Sequence, residues 1–124
     1  MTTTTLVERY FDAVNRHDWG QLAKIFHPDV TVQHGATLSV TGRERAIELL
    51  GALVAQFDEH HDRPTRVLVA GHVAAIEITF TGTRASDGKH VSFDAVDIID
   101  TDGTTIIKVA SWYDTAEVLP LLRD

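Results

Sequence analysis

The run VAAIEITFTGTRASDGKHVSFDAVDIIDTDGTTIIKVASWYD, residues 73–114, decides the fold. Its apolar residues recur every second position, the spacing of a strand with two unlike faces. Ser86-Asp87-Gly88 and Asp102-Gly103 punctuate it where tight turns belong. Strands are predicted over 73–83, 89–100 and 104–113. An earlier one, at about 65–70, is joined by a turn at Gly71-His72. Short turns between successive strands imply antiparallel pairing.

Upstream the period changes to that of helices. Thr5-Leu6-Val7-Glu8 reads as a capping box, and Leu6, Val7, Tyr10, Phe11 and Val14 follow as one apolar stripe. Asp18-Trp19-Gly20-Gln21 caps a second, short helix with Leu22, Ile25 and Phe26 inside. His27-Pro28 breaks it, because the residue before proline avoids helical angles. A short strand is predicted over 30–34, then a loop over 35–40 with at most a scrap of strand. Thr41-Gly42-Arg43-Glu44 opens a third helix with Ala46, Ile47, Leu50, Leu53, Val54 and Phe57 on its stripe, stopping around 58–61. Residues 114–122 form a capped helical turn.

Helices first, then a meander, is an α+β plan with helices on one face of the sheet. We read residues 1–124 as a single domain. Strong curvature would let the sheet and three N-terminal helices enclose a conical cavity.

Composition narrows the function. With no cysteine, disulfides, thiolate metal sites and a cysteine nucleophile are excluded. A net charge of −7 disfavours nucleic acid or an anionic membrane as partner. No apolar run approaches a membrane span, and Met1 with its four threonines lacks the parts of a signal peptide. A cytoplasmic protein is expected.

A polar group on an apolar face needs a reason, because burying it unpaired costs free energy. Asp97 shares a strand face with Val91, Phe93, Ala95 and Ile99, so desolvation should favour its neutral form. His34 sits with Val30 and Val32, and an imidazole suits proton transfer near neutrality. Tyr10 points inward from the first helix. Each has a plainer reading: a structural aspartate, a strand-end histidine, a core tyrosine. Ser111 is a small polar group on a cavity wall, without the elbow pattern of a nucleophile. Glu77 and Trp112 are assigned to the outer face, Trp112 at a subunit interface. His60-His61-Asp62 lacks metal-site spacing and is read as a helix C-terminus.

Residues 6–15 (LVERYFDAVN), then His17-Asp18 and FHPDVTV at 26–32, resemble the opening of the NTF2-like superfamily. Gly42-Arg43-Glu44-Arg45-Ala46-Ile47, Val96-Asp97 before Asp102-Gly103, and Ser111-Trp112-Tyr113-Asp114 are similar too. The nearest families are the ketosteroid isomerases and the SnoaL-like polyketide cyclases. The resemblance implies a conical α+β (cystatin-like) fold, usually dimeric through its sheet. It also implies an oxyanion hole from a helix-1 tyrosine and a protonated aspartic acid, with an aspartate base at the end of the first strand. Tyr10 and Asp97 match the two donors, and His34 stands where the base aspartate belongs. That exchange moves the base by about 2.6 pKa units, on the order of 3.5 kcal/mol in water, and makes the spent base cationic. Limonene epoxide hydrolase is a poorer relative, because Ile78, Phe80 and Ser111 do not supply its Asp-Arg-Asp set.

The expectation is a cofactor-free, metal-free acid–base enzyme acting on a small hydrophobic carbonyl compound, polyketide-, steroid- or terpenoid-like. Isomerisation, cyclisation or dehydration would proceed with Tyr10, His34 and Asp97 catalytic. Trp19, Phe26, Phe57, Phe80, Phe93, Val109, Ser111 and Tyr113 would line or support the pocket. In a variant arrangement His34 and Asp97 form an ion pair. The rival reading is a non-catalytic binding domain or dimeric assembly domain of the same superfamily.

Overall fold

The computed structural model of the chain describes residues 1–122. Its elements, in order, are α1 (Thr3–Arg16), α2 (Trp19–Ile25), β1 (Phe26–His34), β2 (Leu38–Thr41), α3 (Arg43–Val54), β3 (Phe57–Ala70), β4 (Val73–Arg84), β5 (His90–Thr101), β6 (Ile106–Trp112) and α4 (Thr115–Leu122). The six strands form one curved, open sheet in the order β2-β1-β6-β5-β4-β3. The α+β plan and the four-strand meander stand as the periodicities imply.

Local differences have physical causes. Helix α1 starts earlier than the Thr5 box suggests: Thr2 is the cap, and its hydroxyl accepts from the Thr5 amide at 3.1 Å. It ends where His17 turns left-handed (φ 56°), with amides of His17 and Asp18 returning to Val14 and Ala13. Asp18 caps α2 as expected, accepting from Gln21 N. At α3 the cap position falls to Gly42, which offers no side chain, rather than to Thr41.

Strand β1 begins at Phe26, four residues earlier than expected, and runs through Pro28. The ladder to β6 is irregular between Phe26 and Thr31, so Pro28 falls where no strand partner needs its missing N–H. Although β1 is antiparallel to β2, it runs parallel to β6, a long-range pairing that no turn motif announces. A second irregularity, between Asp100 and Thr101, reverses the faces at the start of β6. Ile106 is buried and Ile107 exposed, opposite to the simple alternation.

The largest correction concerns residues 57–64. Phe57 is not on the α3 stripe, because α3 ends at Val54 and Phe57 opens the fourteen-residue strand β3. His60, His61 and Asp62 therefore pair with Gly82, Thr81 and Phe80 of β4, and are not a helix terminus. Gly82 lets this happen: a Cβ there would meet Phe57 Cδ1 at 2.9 Å and the Glu59 carbonyl oxygen at 3.1 Å.

The core lies between the sheet's concave face and the helices. Leu6, Val7, Phe11 and Val14 of α1 and Ala46 and Leu50 of α3 pack against Val32, Ile76, Ile99 and Val109. Burying each such aliphatic or aromatic side chain contributes about 1.5–3 kcal/mol. At the far end, the buried Arg84 donates to Asp87 and, at 3.0 Å, to the Leu121 carbonyl, which ties α4 across the end of β4.

Candidate active site

Ladder register builds the site. His34 pairs with Ser111, and Ser111 with Asp97, so the three form one row across β1, β6 and β5. Residues opposite one another on adjacent strands share a face, and strands lie about 4.8 Å apart. Gly35, at φ 65°, then turns the chain away and donates its N–H to the Ser111 carbonyl at 2.8 Å. Helix α1 brings Tyr10 over the row. Its ring stacks on Phe26 (centroids 6.1 Å apart) and meets Phe11 edge-on (5.1 Å).

These groups open onto a cavity of about 90 Å³. Tyr10, His34, Asp97, Phe57, Phe80, Phe93, Ser111 and Tyr113 line it, together with Leu53, Asp62 and Leu122. Phe80 stacks on Phe93 at 4.9 Å and touches Phe57 at the same distance. Three of the residues expected as lining are elsewhere. Phe26 and Val109 are sealed in the core, Phe26 as the floor beneath Tyr10. Trp19 stacks on His17 and packs, partly buried, against the core outside the cavity.

The electrostatics favour neutral groups. Asp97 is 3% exposed, and Oδ1 of its carboxyl has no hydrogen-bond partner. Burial pushes its pKa up to about 7; a hydrogen bond from Ser111 opposes this, and the nearby charge of Asp62 adds to it. Tyr10 is held well above its usual value, mainly by burial and further by the charges of Asp97 and Asp62. Burial lowers His34 to about 4, and its Nδ1 lies 3.3 Å from the Tyr113 hydroxyl. Both members of the imagined His34–Asp97 ion pair are thus driven towards their uncharged forms. Among the described residues, no group of three or more metal-ligating side chains assembles.

Asp62 was missed by the sequence reading. It faces the cavity from β3, and burial raises its pKa to about 6 against the opposing charge of His61. Strand β3 is an edge strand, so its outward backbone groups need partners. At Asp62 the side-chain amide of Asn15 supplies them like a one-residue strand, accepting from Asp62 N at 2.8 Å and donating to Asp62 O at 2.9 Å. Replacing Asn15 by Ala leaves both unpaired, and denaturant unfolding should show a loss of about 1–3 kcal/mol. A strand reading of 57–64 would have exposed Asp62. The signal was masked because the inward positions, His60 and Asp62, are polar.

Comparison with known proteins now has a site to bear on. Residues 7–109 match the family model of the SnoaL-like domain. No curated protein matches the chain. Among solved structures, a candidate polyketide cyclase from Xanthomonas campestris pv. campestris superposes with a TM-score of 0.88 at 19% identity, covering 98% of this chain and 96% of its own. A Catenulispora acidiphila protein of ketosteroid isomerase-like fold, in complex with trimethylamine, gives 0.83 at 21% identity, covering 93% and 89%. An LEH-like epoxide hydrolase of M. tuberculosis gives 0.82 at 16% identity, covering 97% and 88%.

Proposed function

The chain belongs to the SnoaL-like domain family and has the NTF2-like, cystatin-like fold, and from that premise we propose that it is a cofactor-independent acid–base enzyme. Its substrate is a small, mostly apolar carbonyl compound, processed through an enolate by isomerisation, cyclisation or dehydration. One observation carries this reading: an aromatic-lined hollow contains a phenol and a carboxylic acid, both biased to the protonated, hydrogen-bond-donating form. The cavity volume of about 90 Å³ falls below the roughly 300 Å³ of the smaller drug-sized pockets. That favours a single-ring compound, or the reactive end of a larger one. In this reading Tyr10 and Asp97 hold the enolate oxygen, and His34 faces them as a neutral imidazole. Among the described residues no Lys or Arg lines the cavity, which disfavours the charged Asp-Arg-Asp chemistry of the epoxide hydrolases.

Phenols imitate a planar enolate and test the reading directly. The wild type should bind 3-nitrophenol, and Asp97→Leu should bind it about 10–100-fold more weakly, the worth of one hydrogen bond to a charged acceptor. Equal calorimetric affinity in a folded Asp97→Leu protein would return Tyr10, His34 and Asp97 to a core or anchoring role.

A homodimer through the outer sheet face belongs to the same proposal. By register Leu68, Ala75 and Ile98 share that face with Val73 and Trp112. Leu68, Val73 and Trp112 are 53%, 40% and 44% exposed in the single chain. The chain has no described helix long and apolar enough to cross a membrane. A cytoplasmic location is proposed on the sequence alone.

A further inference from the structure

We propose that Asp62 is the general base of this cavity and that His34 is a neutral group that positions the ligand. The inference rests on the enolate reading and assigns its proton transfer. Asp62 and Asp97 both line the hollow, from β3 and β5. The Asp62 backbone is held by the Asn15 amide, and its neighbours His61 and Arg63 stand opposite Thr81 and Thr79 in the β4 ladder. A base held in this way is pre-positioned. His34 is less free, because Nδ1 already faces the Tyr113 hydroxyl.

Charge decides between the two. If Asp62 accepts the proton, one negative charge is present throughout, first on the carboxylate and then on the enolate. If neutral His34 accepts it, an imidazolium and an enolate must both be created in an apolar hollow, where separated charge is expensive. The charge of Asp62 also raises Tyr10 and Asp97, so both donors meet the enolate just as that charge is extinguished. In the step, the C–H bond alpha to the carbonyl breaks and its proton joins an Asp62 carboxylate oxygen. The electron pair becomes the C=C bond, and the carbonyl π pair moves to oxygen, which accepts from Tyr10 and Asp97. Asp62 then returns the proton to carbon elsewhere on the substrate.

A proton-abstraction probe tests the assignment without the natural substrate. In 5-nitrobenzisoxazole, loss of the ring C–H proton cleaves the N–O bond and releases a coloured cyanonitrophenolate. Asp62→Asn should reduce kcat at least ~100-fold, whereas His34→Gln, which loses only a positioning group, should cost about five- to tenfold and mostly in KM. Asp62→Glu, which keeps a carboxylate, should recover part of the loss. Asp62→Asn should still bind 3-nitrophenol, which reports that it is folded. Asp62 faces Tyr10 of α1, Asp97 of β5, His34 of β1 and Tyr113 beyond β6, with His61 beside it. In that setting the wild-type rate should climb with pH around a midpoint near 6 for Asp62, against about 4 for His34. A His34→Gln protein that loses the activity while Asp62→Asn keeps it overturns the assignment. Phenol binding without any turnover by the wild type also overturns it and leaves the oxyanion pair standing. Absence of both removes the enolate reading itself.

Discussion

At pH 8, Asp97→Asn is expected to be more stable than the wild type by about 2–4 kcal/mol, and at pH 4 the two should agree within ~1 kcal/mol. The sign follows from the direction of the shift. Unfolded, the carboxyl titrates near 3.8; folded, burial moves it to about 7. Between those values the folded chain holds a proton that the unfolded chain has lost, so wild-type stability falls as pH rises through that window. Above it the full penalty of a desolvated carboxylate remains, on the order of 4 kcal/mol at about 1.4 kcal/mol per pKa unit. The buried amide of asparagine imposes a smaller, pH-independent cost of its own. His34 produces the opposite slope: lowered to about 4, it makes stability rise with pH up to its unfolded value of 6.5, but it does so in both proteins and drops out of the difference. Denaturant titrations at pH 4, 6 and 8 measure this. A variant destabilised equally at every pH would mean that Asp97 is an ionised, fully satisfied structural group, and its role as a neutral donor would be lost. An aspartate that costs stability at working pH is what a functional site tolerates and a core does not.

The same burial explains which parts of the site could be read from sequence. Tyr10 and Asp97 stood out because each is a polar residue interrupting a regular apolar pattern, one of helical period and one of period 2. Ser111 and Tyr113 followed from the alternation of β6, although the irregularity near Thr101 inverted Ile106 and Ile107 just upstream. Asp62 failed the same test for a physical reason. The strand face that carries His60 and Asp62 has no apolar alternation to mark it, and the apolar stripe of the preceding helix reads on through Phe57 to about residues 58–61. The parallel β1–β6 pair was equally invisible, because it depends on contacts between segments about 80 residues apart. Trp19 shows the converse limit: an aromatic residue at the start of a short helix, expected to line the pocket, stacks on His17 instead.

Tyr10→Phe is expected to lower kcat on 5-nitrobenzisoxazole by about 10²–10³ while changing stability by less than ~1 kcal/mol. The phenol is 4% exposed, and its ring contacts, to Phe26 and Phe11, survive removal of the hydroxyl. Packing therefore stays and one donor goes. Because burial and the charges of Asp97 and Asp62 hold the phenol well above its usual pKa, it remains a donor throughout the neutral range. Its loss should then lower the rate by the same factor at pH 6 and pH 8. Asp97→Asn behaves differently: it keeps a donor but removes an ionisation, so the decline of the wild-type rate above about pH 7 should vanish. Combining Tyr10→Phe with Asp97→Leu, which removes the second donor, should cost less than the product of the single effects, since both donors serve one oxyanion and the second loses value once the first is gone. Strictly multiplicative losses would place the two groups on different atoms of the ligand. A Tyr10→Phe protein within threefold of wild type would make the tyrosine part of the wall, leaving Asp97 to hold the charge alone.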